Sequence, residues 1–181
     1  MPILGIMASA MSANLFQPAG AYDSLATVTV PSGGVASVTF AGIPNTYKHL
    51  QIRGIAKVAG GSSGYSGGLV LTLNNDTGAN YAYHELYGTG SAAGAYGIAS
   101  QTGDSVLTGS AQFAAHIFDI LDYSNTSKNT TIRHFMGTDT NGSGIVALES
   151  GLWMNTAAVS TIKFSLTTIA EYSQFSLYGV R

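Results

Sequence analysis

Apolar and polar side chains alternate along much of the chain from Ser24 to Val180, and a period of two residues is typical of β-strands with one buried face. The clearest case is segment 47–58, where Leu50 and Ile52 lie on one side and mostly polar residues lie on the other. No stretch of about 12 residues has the 3.6-residue apolar period of a helix. Strands are therefore predicted near 24–30, 36–40, 47–58, 69–74, 81–87, 112–121, 129–136, 144–153, 158–167 and 174–180.

The first two of these strands flank the turn residues 31–34 (Pro-Ser-Gly-Gly), so residues 24–40 are interpreted as a β-hairpin. About nine or ten short strands in a chain of this length favour an antiparallel sandwich or barrel. We predict an all-β fold, an antiparallel jelly-roll-like sandwich with an extended N-terminal arm. The arm is assigned to residues 1–22 and a single β-sandwich domain to residues 23–181.

Two segments, 112–121 and 145–153, are apolar on both faces of the predicted strand. An antiparallel sheet normally has one face in water, so a strand of this kind needs a second cover. That cover is a neighbouring subunit in addition to the opposite sheet, or the N-terminal arm; the alternative is loose packing at a strand end. Phe118 and Ile120 are therefore candidate contacts to another subunit.

The arm is apolar and carries no charged side chain between residues 1 and 20. Such a segment exposes apolar surface unless a partner covers it, and it is too short and too interrupted by Gly and Pro to fold alone. We predict that contact with a partner orders the arm, and a disordered tail is the alternative. Its candidate contact residues are Ile3, Leu4, Ile6, Leu15 and Phe16.

Composition narrows the classes of function. Charged residues make up 9% of the chain, against roughly 25% in an average protein, which indicates a neutral surface or one covered by partners. The seven Lys and Arg residues are scattered and the formal net charge is −2, so no nucleic-acid partner is expected. The chain has no Cys and no run of about 18 apolar residues, so neither disulfides nor a membrane-spanning segment is expected.

The sequence contains little evidence of a catalytic or metal-binding site. The string Gly-Tyr-Ser-Gly-Gly at 64–68 matches the serine elbow of hydrolases, but it lies between β patterns and no helix follows it. The histidines are not spaced for metal binding on one strand. We therefore predict no catalytic residue, no metal site, no cofactor and no enzymatic activity.

Tyr81, Tyr83 and Tyr87 fall on one face of a predicted strand. A tyrosine stripe can stack on sugar rings, and it can equally form cross-strand pairs inside a sheet. These three residues are the candidate glycan contacts.

From about residue 22 onward the chain resembles a group of small structural proteins of tailed-phage particles. The opening residues 2–9 (PILGIMAS) also resemble the start of many members. The group implies a jelly-roll-like β domain, commonly trimeric, that is built into the virion, and no catalytic residue carries over from it. The segments that carry the resemblance are 37–44 (SVTFAGIP), 47–56 (YKHLQIRGIA), 73–88 (LNNDTGANYAYHELYG), 151–166 (GLWMNTAAVSTIKFSL) and 175–180 (FSLYGV).

The function that the resemblance implies is that of a non-enzymatic virion protein, in the first place a trimeric capsid decoration (cement) protein that stabilises the head shell. Its expected partners are copies of itself and the major capsid protein or another virion protein. Its expected location is the phage particle, assembled in the host cytoplasm. The arm, Phe118 and Ile120 would then contact the shell or neighbouring subunits. The alternative is a tail-fibre or baseplate component that recognises host surface glycans through the tyrosine face.

Overall fold

The computed structural model describes residues 20–62 and 64–181, and the regular elements of that part of the chain are all β-strands. β-Branched and aromatic residues at alternating positions fit a pleated, half-buried surface, which explains why strands form here. The strands are β1 (Tyr22–Thr29), β2 (Val35–Ala41), β3 (His49–Ala56), β4 (Tyr65–Leu73), β5 (Tyr81–Gly88), β6 (Ala93–Gln101), β7 (Asp104–Gly109), β8 (Ala114–Leu121), β9 (Thr130–Asp139), β10 (Gly144–Trp153), β11 (Thr161–Ile169) and β12 (Gln174–Val180).

The strands form two antiparallel sheets packed face to face. The large sheet has eight strands in the order β1-β12-β3-β8-β9-β10-β5-β6, and the small sheet has four in the order β2-β11-β4-β7. The predicted all-β antiparallel sandwich is confirmed. β1 begins at Tyr22, which the sequence assigned to the arm, and residues 1–19 lie outside the described residues. The arm candidates that also lie outside them are Ile3, Leu4, Ile6, Leu15 and Phe16.

The predicted hairpin at 24–40 is wrong. Its turn forms, with the Gly34 N–H donating to the Pro31 carbonyl oxygen, but β1 pairs with β12 in the large sheet and β2 pairs with β11 in the small sheet. Val30, between the two strands, is buried and exchanges backbone hydrogen bonds with Tyr172 and Ser173. The chain therefore crosses from one layer to the other at this point.

The alternation did not predict β6 and β7. β6 is an exposed edge strand rich in Gly and Ala, so it has no strong apolar period. β7 is the edge of the small sheet, and its inward side begins with the carboxylate of Asp104 rather than an apolar residue. The Gly-rich stretch 60–68 lies between the predicted strands 47–58 and 69–74, and part of it is strand because β4 begins at Tyr65.

The main core lies between the two sheets. Phe164 of the small sheet is central to it, with its ring centroid 5.0 Å from that of Phe118 and 4.8 Å from that of Phe175 on the large sheet. Around this group every second residue of the central strands points inward. The large side chains buried completely include Leu50, Ile52, Leu69, Leu71, Leu73, Phe118, Ile120, Phe164 and Phe175.

Phe118 and Ile120 were wrong as candidate contacts to another subunit or a shell. Both are 0% exposed in the single chain, because the face of β8 on which they lie packs against the small sheet. The opposite face of β8 carries Ala115, Ile117 and Asp119. Both faces of this strand are apolar, so the alternation could not tell which one is turned inward.

The turn after β4 is tied to the large sheet by Asp76. Its carboxylate accepts hydrogen bonds from the Gly78 N–H (2.8 Å), Asn80 Nδ2 (2.9 Å) and Trp153 Nε1 (2.8 Å). These bonds, with that from Trp153 contributing most, hold the pKa of Asp76 below its usual range. The Trp153 ring in turn stacks on Tyr81, with 6.4 Å between centroids. One carboxylate thus joins a turn of the small sheet to the end of β10.

We expect Phe118→Ala to lower the free energy of unfolding by about 3–5 kcal/mol, because it leaves a cavity in the centre of the core. Urea denaturation followed by circular dichroism measures the change. Ile117→Ala, at the neighbouring outward-facing position, is the matched control and should cost about 1 kcal/mol or less. Equal losses in the two variants would contradict the orientation of β8.

Candidate interaction surface

The outer face of the large sheet, turned away from the small sheet, is apolar over part of its area. Strand register places its residues in rows that run across the strands. One row contains, in spatial order, Ile117, Phe135, Leu148 and Leu86. The row beside it contains Ile55, Ala115, Gly137, Val146 and Gly88. We call these two rows the apolar band.

The six large side chains of the apolar band are between 41% and 58% exposed. Single apolar residues on a surface are ordinary, but neighbouring ones on five adjacent strands form a continuous patch, and such patches mark interaction sites. The next row along the strands is polar, so the patch has a clear border. That row contains Gln51, Asp119, Arg133, Ser150 and His84.

The sequence pointed to part of this surface. The segments that it marked as apolar on both faces supply Ile117, Val146 and Leu148, and the small sheet does not cover these residues. It missed Ile55, Leu86 and Phe135, because each is an isolated apolar residue on the polar side of its own strand. Only the register between strands brings them together, and the sequence of one strand does not contain the register.

The second row of the apolar band is the floor of a groove of about 650 Å³. The floor is low because Ala115, Gly137 and Gly88 carry a methyl group or no side chain at all. Ile55 and Val146 also line the groove. Phe113, Asp139 and residues 142–144 line its other side.

The tyrosine stripe was wrong as a glycan surface. Tyr81 and Tyr83 point into the sandwich and are 0% and 5% exposed. The Tyr81 hydroxyl accepts a hydrogen bond from the Leu73 N–H at 2.9 Å, inside the core. Tyr87 lies on the same inward side, half-buried, and packs over Gly94. The three rings fill space between the sheets, and they offer no open ring face on which a sugar could stack.

Three of the nine acidic residues are buried together between β7 and the paired strands β5 and β10. Glu85 and Glu149 lie opposite each other on β5 and β10. Asp104 packs so closely over Gly151 that a Cβ atom there would collide with its carboxylate. The three side chains are 1% or 2% exposed, and no backbone N–H or basic side chain of the described residues donates a hydrogen bond to their oxygens.

Burial decides the protonation of this acidic cluster. Burial, followed by the charge of Asp104, raises the pKa of Glu149 to about 10. Burial likewise raises the pKa of Asp104 to about 6 and that of Glu85 above its usual range. At neutral pH Glu149 is therefore an uncharged acid, and its O–H is a donor for the Asp104 carboxylate. The cluster avoids mutual repulsion by holding a proton.

Two buried histidines continue the polar interior next to the acids. The Thr108 hydroxyl lies 3.3 Å from the Ala56 carbonyl oxygen and 3.2 Å from His116 Nε2, and His116 Nδ1 lies 3.1 Å from His134 Nε2. Since Thr108 has one proton, which it donates to Ala56, His116 donates to Thr108 and His134 donates to His116. Burial lowers the pKa of His116 to about 3 and that of His134 well below its usual range, so both rings are neutral.

Neither a metal site nor a membrane-spanning helix is present in the part of the chain that the structure describes. Across residues 20–62 and 64–181, no group of three His, Asp or Glu side chains is arranged to hold a metal ion. No helix of these same residues has the length and hydropathy to cross a membrane. The acids and histidines are closed off from solvent, whereas the apolar band and its groove are open to a partner.

Comparison with known proteins does not place the chain in a family. No protein-family model and no curated protein matches it. Among solved structures, the crystal structure of a protein of unknown function from Shewanella oneidensis MR-1 is similar at 10% identity and a TM-score of 0.28, over 89% of this chain and 76% of that one. A similarity of this size carries no argument about fold or function.

We expect the free energy of unfolding to be greatest between about pH 4.5 and 6.5. Above pH 4.5 Glu149 loses its proton in the unfolded chain, whereas in the folded chain it stays protonated up to about pH 10. Stability therefore falls as the pH rises. Below pH 6.5 the histidines of the unfolded chain become protonated, whereas His116 in the folded chain stays neutral down to about pH 3. Stability therefore falls as the pH drops. Thermal melting at a series of pH values measures the profile, and a maximum above pH 8 would contradict it.

We expect Glu149→Gln to flatten the alkaline side of this profile, because the amide needs no proton to stay neutral. At pH 9 the variant should unfold several degrees above the natural protein, since about 1 kcal/mol corresponds to roughly 2–4 °C in a chain of this size. At pH 5 the two should be similar. Glu171→Gln, which removes a more exposed carboxylate, is the matched control and should leave the profile unchanged.

Proposed function

We propose that the protein is a non-enzymatic structural protein of a tailed-phage particle, a homotrimer that binds the head shell as a decoration protein. The observation that carries the proposal is the apolar band on the outer face of the large sheet. The low proportion of charged residues supports a surface that partners largely cover. The resemblance of segments 37–44 and 73–88 to virion proteins supports the phage context.

The apolar band offers enough free energy to hold subunits together. Fully burying one large apolar side chain contributes about 1.5–3 kcal/mol, so covering six half-exposed ones contributes roughly 5–9 kcal/mol. Association costs at least about 4 kcal/mol in lost motion. The band therefore supports a contact, and in a cyclic trimer each copy's band is covered by a different surface of the next copy.

The surroundings of the apolar band resemble the rim of an interface. A stable interface has an apolar centre and a polar border that stays accessible to water. Here Arg53 stands at the β3 end of the first row, the ion pair between Asp119 and Arg133 (3.3 Å) stands along one side of the band, and Asp139 stands on the other. Charges at such positions set the orientation of a partner more than they set affinity.

A decoration protein works by binding the assembled shell and not its free subunits. Binding to one state shifts the equilibrium toward that state, so a partner that bridges neighbouring subunits stabilises a pressurised shell without any chemical step. A stiff sandwich with one apolar outer face suits this mechanical role. The buried acids also support a structural role, because Glu85, Asp104 and Glu149 are enclosed between the sheets where no substrate reaches them.

Glycan recognition through Tyr81, Tyr83 and Tyr87 is not part of the proposal, because these rings belong to the interior. Locating the chain in a reconstruction of the particle tests the head position directly. Many copies on the shell lattice support a decoration protein, and a few copies confined to the tail would contradict it.

We expect the purified chain to be a trimer with three times the 18.6 kDa chain mass. Leu148→Glu should dissociate it at micromolar concentration, because a carboxylate in the apolar band would be buried without a partner. Light scattering coupled to gel filtration measures the mass. The dissociated variant should keep the far-ultraviolet circular-dichroism spectrum of the natural protein, since Leu148 is 47% exposed in the single chain and lies outside the core.

Ser150→Glu is the matched control for this experiment. Ser150 lies on the same strand and the same face as Leu148, one row further into the polar half. The control should stay trimeric. A natural chain that is monomeric at micromolar concentration, or a trimer that Leu148→Glu leaves intact, would overturn the assignment of the apolar band.

A further inference from the structure

Gly137 is a glycine that the fold itself does not require. Glycine inside a strand costs about 0.5–1 kcal/mol relative to alanine, so it needs a reason. Gly54, Gly94 and Gly151 have one, because Phe175, Tyr87 and Asp104 respectively occupy the space of a Cβ atom.

At Gly137 an added Cβ would meet nothing closer than Val146 Cγ2 at 3.8 Å, and at Gly88 it would meet nothing within 4 Å. Neither residue has a positive φ angle. Both lie on the floor of the outer groove. The register is regular at both glycines, so they mark no bulge. A strand glycine that no described residue and no bulge explains often marks a place where another backbone or ligand approaches closely.

The groove has the length of an extended peptide. Its floor runs from Ile55 on β3 to Gly88 on β5, across five strands. Four strand spacings of about 4.8 Å give roughly 19 Å, which is the span of about six extended residues. The Ser143 hydroxyl lines the same groove and can bind a peptide backbone, whereas the Thr89 hydroxyl is already hydrogen-bonded to the Ala92 backbone.

The lining is uncharged except at one point. Asp139 stands at the edge, and its carboxylate already accepts hydrogen bonds from the N–H groups of Asn141 (2.7 Å) and Gly142 (3.4 Å). The groove therefore fits a segment without charged side chains. A charged peptide would leave its charges over an apolar floor without partners.

We propose that this groove binds the leading segment of a neighbouring copy, within residues 1–19, as an extended peptide; the inference rests on the self-association proposed above. Residues 1–19 carry no charged side chain in a chain that has sixteen Lys, Arg, Asp and Glu elsewhere (7 + 9). They include large apolar side chains that match the floor, and small ones that allow close approach over Gly137. Their apolar members are Met1, Ile3, Leu4, Ile6, Met7, Met11, Leu15 and Phe16.

The position of β1 favours a neighbouring copy over the same copy. Tyr22 lies in the row of Val180 and His49, at the far end of the large sheet, whereas the groove begins at Ile55. The distance along the strands is about 20 Å, from six residues at roughly 3.3 Å each. A segment that returned to its own groove would cross the polar row, where Asp119 and Arg133 offer it no apolar contact.

Disulfide trapping tests the contact, and the absence of cysteine gives a clean background. We would prepare Ile6→Cys with an affinity tag and Val146→Cys without one, mix the two full-length chains so that subunits exchange, and oxidise them mildly. The expected result is a linked pair of tagged and untagged chains, at least about tenfold more abundant than in the control. The control replaces Val146→Cys by Ser150→Cys, on the same strand and face. Ile3→Cys and Leu15→Cys repeat the test at other positions of the segment.

Equal linking to Val146→Cys and Ser150→Cys at all three positions would overturn the groove assignment. Linking only within one chain that carries both substitutions would overturn the assignment to a neighbouring copy. A trimer by light scattering with no specific link would sink this inference and leave the proposed function standing, whereas a monomer would sink both.

Filling the groove gives a second, independent readout. Gly137→Phe places a ring on the floor where the chain leaves open space, so it should reduce the linked product at least about tenfold with an unchanged melting temperature. Gly137→Val is the milder variant and should give an intermediate reduction. Ser150→Phe is the matched control and should leave linking unchanged. Undiminished linking in folded Gly137→Phe would contradict the proposal.

Discussion

The unequal width of the two sheets is the constraint on which the rest of the structure depends. Eight strands spaced about 4.8 Å apart face only four, so the small sheet covers roughly half of the large one. Under β2, β11 and β4 the covered part is filled by aliphatic and aromatic side chains such as Phe164 and Phe118. Towards β7 the side chains buried between the sheets become polar. The outer face of the large sheet has no second layer among the described residues, and its apolar band stands open.

The polar interior next to β7 is stable because protonation limits its charge and hydrogen bonds connect its members. An ionised carboxylate without a cation in such a place would cost several kcal/mol, and a neutral acid costs much less. Burial raises the pKa of Glu149, which stays protonated, and lowers the pKa values of His116 and His134, which stay neutral. These opposite responses come from the same cause, which is the removal of water from the space beneath β7.

The alternation of residues located most strands but not their partners or their orientation. Leu50 and Ile52 were assigned correctly because the other face of β3 is mostly polar. Phe118 was misassigned because both faces of β8 are apolar, so no residue pattern says which side meets the small sheet. Glu149 points inward against the usual rule, and only the burial beneath β7 shows this. The apolar band needed the register of five strands, which depends on long-range pairing.

Trp153 is placed where its fluorescence reports unfolding of the sandwich but not assembly of subunits. This single tryptophan is buried at the end of β10, and its indole N–H is bound to Asp76 on the turn that leaves the small sheet. Its emission therefore responds when the sheets part. Events on the apolar band, which lies on the opposite face of the same sheet and five residues away along β10 at Leu148, leave its surroundings unchanged. Fluorescence of the natural protein should thus be blind to assembly and sensitive to unfolding, so the two processes can be followed in one sample without a label.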